Sequence, residues 1–435
     1  VSESARPSAL RRLCAAGAAL ALGATLSACG SADSGPPELT WYINPDNGGQ
    51  AQIAQQCTEE ADGAYTITTS LLPRDAASQR EQLARRLAAG DRSMDIMSLD
   101  PPYIPELAEP GFLAPVPEDL VESSTQDVVE GAVQGATWKD ELVAVPFWAN
   151  TQLLWYRESV AEEAGLDMSQ PVTWDQLIEA AETTDSYLGI QGIRAESMTV
   201  WVNALMESQG QAIIENPDAP ADETQLALDS PAGDEAARII STIGSEGLAG
   251  PGATTQDENV AMAQFQGDQG SFMVNWPFVY TATQTSVEQG SVDQEVLDDM
   301  KWTTYPQITE DQESTPPLGG INLGVGASSE HPDLAYEAIR CIASPEKQAQ
   351  YFLSDGNPPA STTAYDDPEV QDAYPMAPEI RESLERAAPR PQTPYYNEIS
   401  LGIQQHWTPI SDVTESTPAE SQEFIQSVLR GEALL

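Results

Sequence analysis

Apolar and polar positions alternate in two ways along this chain. Short apolar runs with period two are separated by longer stretches in which apolar residues return every three or four positions. From residue 38 onward the pattern predicts a strand over Glu38–Ile43, a helix over roughly Gln50–Ala61 and a strand over Tyr65–Leu72. A helix over Ala76–Ala89 follows, with Asp75 as its cap and Gly90 at its end, and then a strand over Asp95–Leu99. Strands that alternate with helices pair in parallel through right-handed crossovers. In such open sheets ligands collect at the carboxyl ends of the strands. The turn Asp46-Asn47 and the post-strand Asp100 both fall there.

The pattern changes at Pro146–Arg157 (P-F-W-A-N-T-Q-L-L-W-Y-R). A proline ends a buried run, Leu142–Val145, and a second apolar run begins at Leu153. This is where the backbone is expected to leave one lobe and enter another. Beyond it, Thr173 and Gln176 stand at capping-box spacing, and Asp234–Glu246 is amphipathic and stopped by Gly247. A helix Glu258–Phe265 leads to a strand Ser271–Asn275, followed by Trp276-Pro277-Phe278. Leu318–Val325 reads as a strand carrying Gly319 and Gly320, suited to a close crossing between lobes. Helix Pro332–Ala343 and a helical, proline-jointed segment 358–435 complete the chain. The expected architecture is α/β and two-lobed, with residues 38–147 and 321–357 in one lobe and 148–320 and 358–435 in the other. A length of 435 residues suits two cores better than one.

The first 29 residues are of another kind. Arg6, Arg11 and Arg12 precede the apolar run Leu13–Leu26, and Leu26-Ser27-Ala28-Cys29 follows. This predicts a secretory signal with a lipobox whose Cys29 becomes the lipidated mature N-terminus, with residues 30–37 as a polar tether. The run is short for a bilayer span, which takes about 20 apolar residues. With Cys14 removed and Cys29 lipidated, Cys57 and Cys341 remain, and an oxidising compartment would pair them. Two buried free thiols are the alternative. The formal charge is −49, from 68 acidic and 19 basic residues. Such a surface repels nucleic acid and argues against a polyanionic ligand.

Two kinds of residue mark the expected cleft. Trp148, Trp276 and Phe278 are aromatics at turns or strand ends, with Trp41 and Tyr280 as weaker candidates. Asp46, Asn47, Arg80, Asp100, Asn150, Glu258 and Arg390 are planar polar groups in similar places. Aromatic rings cover the C–H faces of a sugar, and carboxylates, amides and guanidinium forks satisfy its hydroxyls two at a time. The mixture fits a neutral polyhydroxylated ligand. Two histidines, His331 and His406, make no zinc motif, and neither a G-x-S-x-G elbow nor a phosphate loop occurs. No cofactor, metal or catalytic residue is expected. A glycosidase remains conceivable only because carboxylates are everywhere.

Six motifs in order resemble family 1 of the extracellular solute-binding proteins, the sugar-binding lipoproteins of ABC importers. They are Asp95–Asp100 with Tyr103, the Pro146–Arg157 stretch, T-W-D-Q-L from Thr173, N-W-P-F at Asn275–Phe278, L-G-G at Leu318–Gly320, and P-R-P-Q-T-P-Y-Y at Pro389–Tyr396. Within the family the chain looks most like the trehalose-binding lipoproteins of actinobacterial trehalose-recycling importers. The resemblance implies a monomeric, lipid-anchored binding protein of type II-like fold outside the cell membrane, working with permease subunits and an ATPase. It implies ligand contacts at Asn47, Arg80, Asp100, Asn150, Glu258, Trp276, the Gly320 backbone and Arg390. Asn150, Phe278 and Ile321 depart from the aspartate, tyrosine and tryptophan of related trehalose and maltose binders. Without that tryptophan ring, maltose and longer glucans should fit less well. Another oligosaccharide or a glycerophosphodiester, with Arg80 and Arg390 on the phosphate, is the alternative ligand.

Overall fold

The structure, a computed structural model, describes residues 35–435. The signal sequence, Cys29 and residues 30–34 of the tether lie outside the described residues. Eleven strands occur among the described residues. In chain order they are β1 (Glu38–Ile43), β2 (Thr66–Leu71), β3 (Ile96–Leu99), β4 (Thr137–Trp138), β5 (Glu141–Leu142), β6 (Val145–Thr151), β7 (Leu153–Arg157), β8 (Tyr187–Gly189), β9 (Gly270–Asn275), β10 (Met300–Thr303) and β11 (Leu318–Gly324). β1 pairs in parallel with β2 and with β3, as the intervening helices Gly49–Glu60 and Ala76–Ala88 require. Asp75 accepts from the Ser78 backbone N–H at 2.8 Å, and Gly90 closes that helix at φ 67°.

Two main sheets result, in the orders β2-β1-β3-β11-β6 and β10-β7-β9-β8, with β4 and β5 as a small hairpin. β11 runs antiparallel to both of its neighbours. Each sheet has its own core. Leu39, Ile43, Val145 and Leu323 of the first sheet pack with Ile53 and Ile339 of its helices. Leu154 and Val274 of the second pack with Trp174 and Trp201, and with Ile403 and Trp407 of the C-terminal helices. Helix Pro345–Asp355 touches both sides: Tyr351 joins the first core, and Phe352 packs in a third cluster with Trp155 and Met273. A disulfide joins Cys57 to Cys341, tying helix Gly49–Glu60 to helix Pro332–Ile342. Among the described residues no helix is long and apolar enough to cross a membrane.

Pro146 corrects the sequence reading. It does not end a strand over Leu142–Val145 but is the second residue of β6. β6 lies at the end of its sheet, and the register with β11 shifts between Ile321, opposite Trp148, and Asn322, opposite Pro146. A proline is tolerated at such a bulge on an edge, where the ladder asks for no N–H from it. The lobe boundary expected at Trp148 and Ile321 therefore falls inside two paired strands. Their pairing continues to Thr151 and Leu318, so the outgoing chain changes sheets at Gln152. A third passage runs alongside, where the Ala149 N–H donates to the Pro358 carbonyl at 3.0 Å.

Gly320 is required at this crossing. Its φ is 131°, and a Cβ there would stand 2.3 Å from the Trp148 carbonyl oxygen. Gly320→Ala is expected to destabilise the fold by roughly 2–3 kcal/mol, read as a lower midpoint in urea denaturation.

Candidate ligand site

Asp100 follows β3 directly and meets groups from the other side of the molecule. Arg390 Nη2 donates to Asp100 Oδ1 at 2.6 Å, and Arg390 Nη1 donates to Glu196 Oε1 at 2.5 Å. Glu196 opens helix Glu196–Glu207, which packs in the second core. The Tyr103 hydroxyl donates to Glu196 Oε2 at 3.0 Å, and the Tyr396 hydroxyl donates to Oε1. The two phenol rings meet edge to face, 5.2 Å apart. Arg390 is 5% exposed, and its Nε has no hydrogen-bond partner among the described residues. Burial pushes the Asp100 carboxyl above the usual range; Arg390 opposes this and Glu196 adds to it. Burial works against the charge on Arg390, but Asp100, Tyr396 and Glu196 outweigh it.

A second group gathers at the strand crossing. A Cβ on Gly319 would lie 3.1 Å from the Trp276 ring, so the glycine lets the indole lie against β11. The same Cβ would stand 3.8 Å from Asn150 Cβ. The Trp276 backbone N–H donates to Asn275 Oδ1 at 2.9 Å, and Asn275 Nδ2 donates to the Glu258 backbone carbonyl at 2.9 Å. Asn150 is buried, and its Oδ1 accepts from the Thr151 N–H. Burial pushes the Glu258 carboxyl up.

The other expected contacts are less open. Both Asp46 oxygens serve the start of helix Gly49–Glu60, accepting from the Gly48 and Gln50 backbone N–H groups at 3.0 and 2.8 Å. Asn47 is exposed and its backbone N–H donates to Asp355 Oδ1 at 2.7 Å. Arg80 is held by Glu106, with Nε 2.7 Å from Oε2, and Glu398 faces this pair. Phe278 is half-buried beside Gly356. Ile321 is 3% exposed within β11, opposite Trp148, so it presents little surface. Among the weaker aromatic candidates, Trp41 is a core residue: it is fully buried and its Nε1 donates to Ser98 Oγ at 3.1 Å. Tyr280 packs edge to face on Trp302, and Trp148 leans on Tyr351.

The structure thus joins Asp100 to Arg390 and places Asn150 and the Trp276 ring beside Gly319, while Glu258 is tied in only through its backbone carbonyl, bonded to Asn275. Sequence reasoning missed Glu196, which has no local mark among 68 acidic residues beyond opening a helix. It also passed over the hydroxyls of Tyr103 and Tyr396, although both residues lie in quoted motifs. Among the described residues no three His, Cys, Asp or Glu side chains are placed to hold a metal ion.

Glu207, at the other end of the helix that Glu196 opens, is partly buried, and burial alone pushes its carboxyl up to about 7. Its folded value lies above the unfolded one. Its contribution to stability is therefore greatest in acid and falls as pH rises from about 4.5 to 7. Glu207→Gln should stabilise the protein at pH 8, by up to about 2–3 kcal/mol, and change little at pH 4. Thermal melts at the two pH values check this.

Two α/β lobes with a cleft between them and paired crossing strands define the class of two-lobed solute-binding proteins. The chain belongs to the bacterial extracellular solute-binding proteins, whose family profile matches residues 52–378. A probable ABC transporter-binding protein of Deinococcus radiodurans is 24% identical over 405 residues, covering 88% of this chain and 90% of the relative. A maltotriose-binding protein of Pyrococcus abyssi is 25% identical over 307 residues, 69% of this chain and 62% of the relative. Among solved structures, maltose-bound MalE3 of T. maritima matches with a TM-score of 0.76 at 22% identity, covering 91% of this chain and all of that one (100%). Family and fold are those of non-catalytic binding proteins, so this chain is a binding protein and not a glycosidase.

Proposed function

We propose that this chain is the substrate-binding component of an ABC importer that captures a neutral disaccharide, trehalose or a close relative. The protein would be held outside the cell membrane through lipid on Cys29 and would deliver sugar to a permease driven by an ATPase. The observation that carries this reading is the meeting of Asp100, at the carboxyl end of β3, with Arg390, from the segment packed on helix Glu196–Glu207. A carboxylate and a guanidinium fork from facing lobes are suited to vicinal hydroxyls, and the Trp276 face beside Gly319 is suited to a pyranose ring. Asn47, Asn150, Glu258 and the Gly320 backbone complete the proposed contact set, with Asp46, Arg80, Phe278 and Ile321 at its margin. The antiparallel β11 inside an otherwise parallel first sheet supports a type II-like assignment.

The relatives named for maltose and maltotriose support a carbohydrate ligand without choosing one. The glycerophosphodiester alternative loses ground because both arginines it needs already face carboxylates. Titration calorimetry decides. Trehalose should bind more tightly than maltose, and Trp276→Ala should weaken binding by about 10- to 100-fold, as expected for a buried aromatic anchor. No heat with either sugar, at low and high salt, would overturn the reading.

A further inference from the structure

Four donors converge on one carboxylate. Glu196 Oε1 accepts from Arg390 Nη1 and from the Tyr396 hydroxyl; Oε2 accepts from the Tyr103 hydroxyl at 3.0 Å and the Ser400 hydroxyl at 3.2 Å. The Glu196 side chain is 16% exposed. With donors on both oxygens, the carboxylate is fixed, and so is the guanidinium it holds. Three of the donors come from the C-terminal segment. The fourth, Tyr103, comes from the turn after β3 and so from the first sheet's side.

From this convergence we infer that Glu196 is the positioning residue for Arg390. It aims the guanidinium at Asp100 and, by also taking the Tyr103 hydroxyl, ties the two lobes together through protein groups alone. Its effect on sugar affinity rests on the function proposed above; its effect on lobe position does not.

The charges facing this point make the tie sensitive to pH. Asp100 and Glu196 share one guanidinium, and Arg80, ion-paired with Glu106, also faces the charge of Glu398. The phenols of Tyr103 and Tyr396 stay protonated, since burial and the nearby carboxylates push both far up. Burial raises Asp100 as well. With Asp100 buried, the closed arrangement binds a proton more readily than lobes apart in water, so lowering pH favours closure.

The test places spin labels on exposed positions of the two lobes of the full chain. It reads the interlobe distance without added sugar, and trehalose affinity by calorimetry, between pH 5 and 8. Glu196→Ala should lengthen the distance and weaken trehalose binding at least about 30-fold. Glu196→Gln should keep the short distance, because its amide oxygen still accepts from Arg390 and Tyr396 while its nitrogen donates to the two remaining hydroxyls. That variant keeps the buried Asp100 and so part of the pH response, reduced by the loss of the Glu196 charge beside it. Tyr103→Phe, which removes a single hydroxyl, should lengthen the distance in part and carries the test if Glu196→Ala does not fold. Distances unchanged in Glu196→Ala and Tyr103→Phe would overturn the inference. If the wild-type chain takes up no trehalose, the distances still decide it, and only the proposed ligand fails.

Discussion

Arg390→Ala is expected to abolish measurable sugar binding and to lower folding stability by roughly 3–5 kcal/mol, the range for removing one partner of a buried ion pair. The guanidinium is the only positive group placed between Asp100 and Glu196 among the described residues, and it is nearly inaccessible to water. Removing it leaves two carboxylates close together with no counter-charge. One of them must take up a proton, so the folded-state affinity for protons rises further. The stability of Arg390→Ala should therefore recover as pH falls from 7 toward 5, and urea denaturation at several pH values would show it. Arg390→Lys should rescue little, because one ammonium cannot reproduce a fork that reaches both acids. A melting curve for Arg390→Ala that matches the wild type at pH 7 would show that the buried pair contributes nothing.

The second large effect concerns the disulfide. Cys57→Ser combined with Cys341→Ser is expected to cost about 2–5 kcal/mol, seen as a lower melting temperature that no longer responds to reductant. The bond joins residues 284 positions apart, and both helices it ties lie against the first sheet. Chain-entropy models make so long a closure worth about 5–6 kcal/mol before any native strain. Equal melting temperatures for wild type with and without reductant would contradict this.

Much of the fold was legible because its signals are local. Glu38–Ile43 and Glu258–Phe265 stand in the structure where alternation and helical period put them, and Thr173 with Gln176 forms the expected capping box. The pairing of Cys57 with Cys341 followed from counting thiols. Pro146 was misread because its tolerance depends on a register shift in β11, more than 170 residues away in sequence, which no local pattern reports. Trp41 and Trp276 look alike as aromatics near strand ends, but the Ser98 hydroxyl on the neighbouring strand β3 receives one indole while Gly319 lies beneath the other. Asp100 and Arg390 were singled out through motifs, but nothing local says that they meet each other. Glu196 was not, because an acidic residue is distinguished only by the donors that fold around it.

The side-by-side passages at Ala149–Thr151, Leu318–Gly320 and Pro358 have a mechanical consequence. Backbone hydrogen bonds between neighbouring passages resist sliding and twisting, so bending about the line they share is the relative motion these connections oppose least. If the proposed ligand is taken up and released by such bending, a single distance across the mouth would report where on that path a molecule stands.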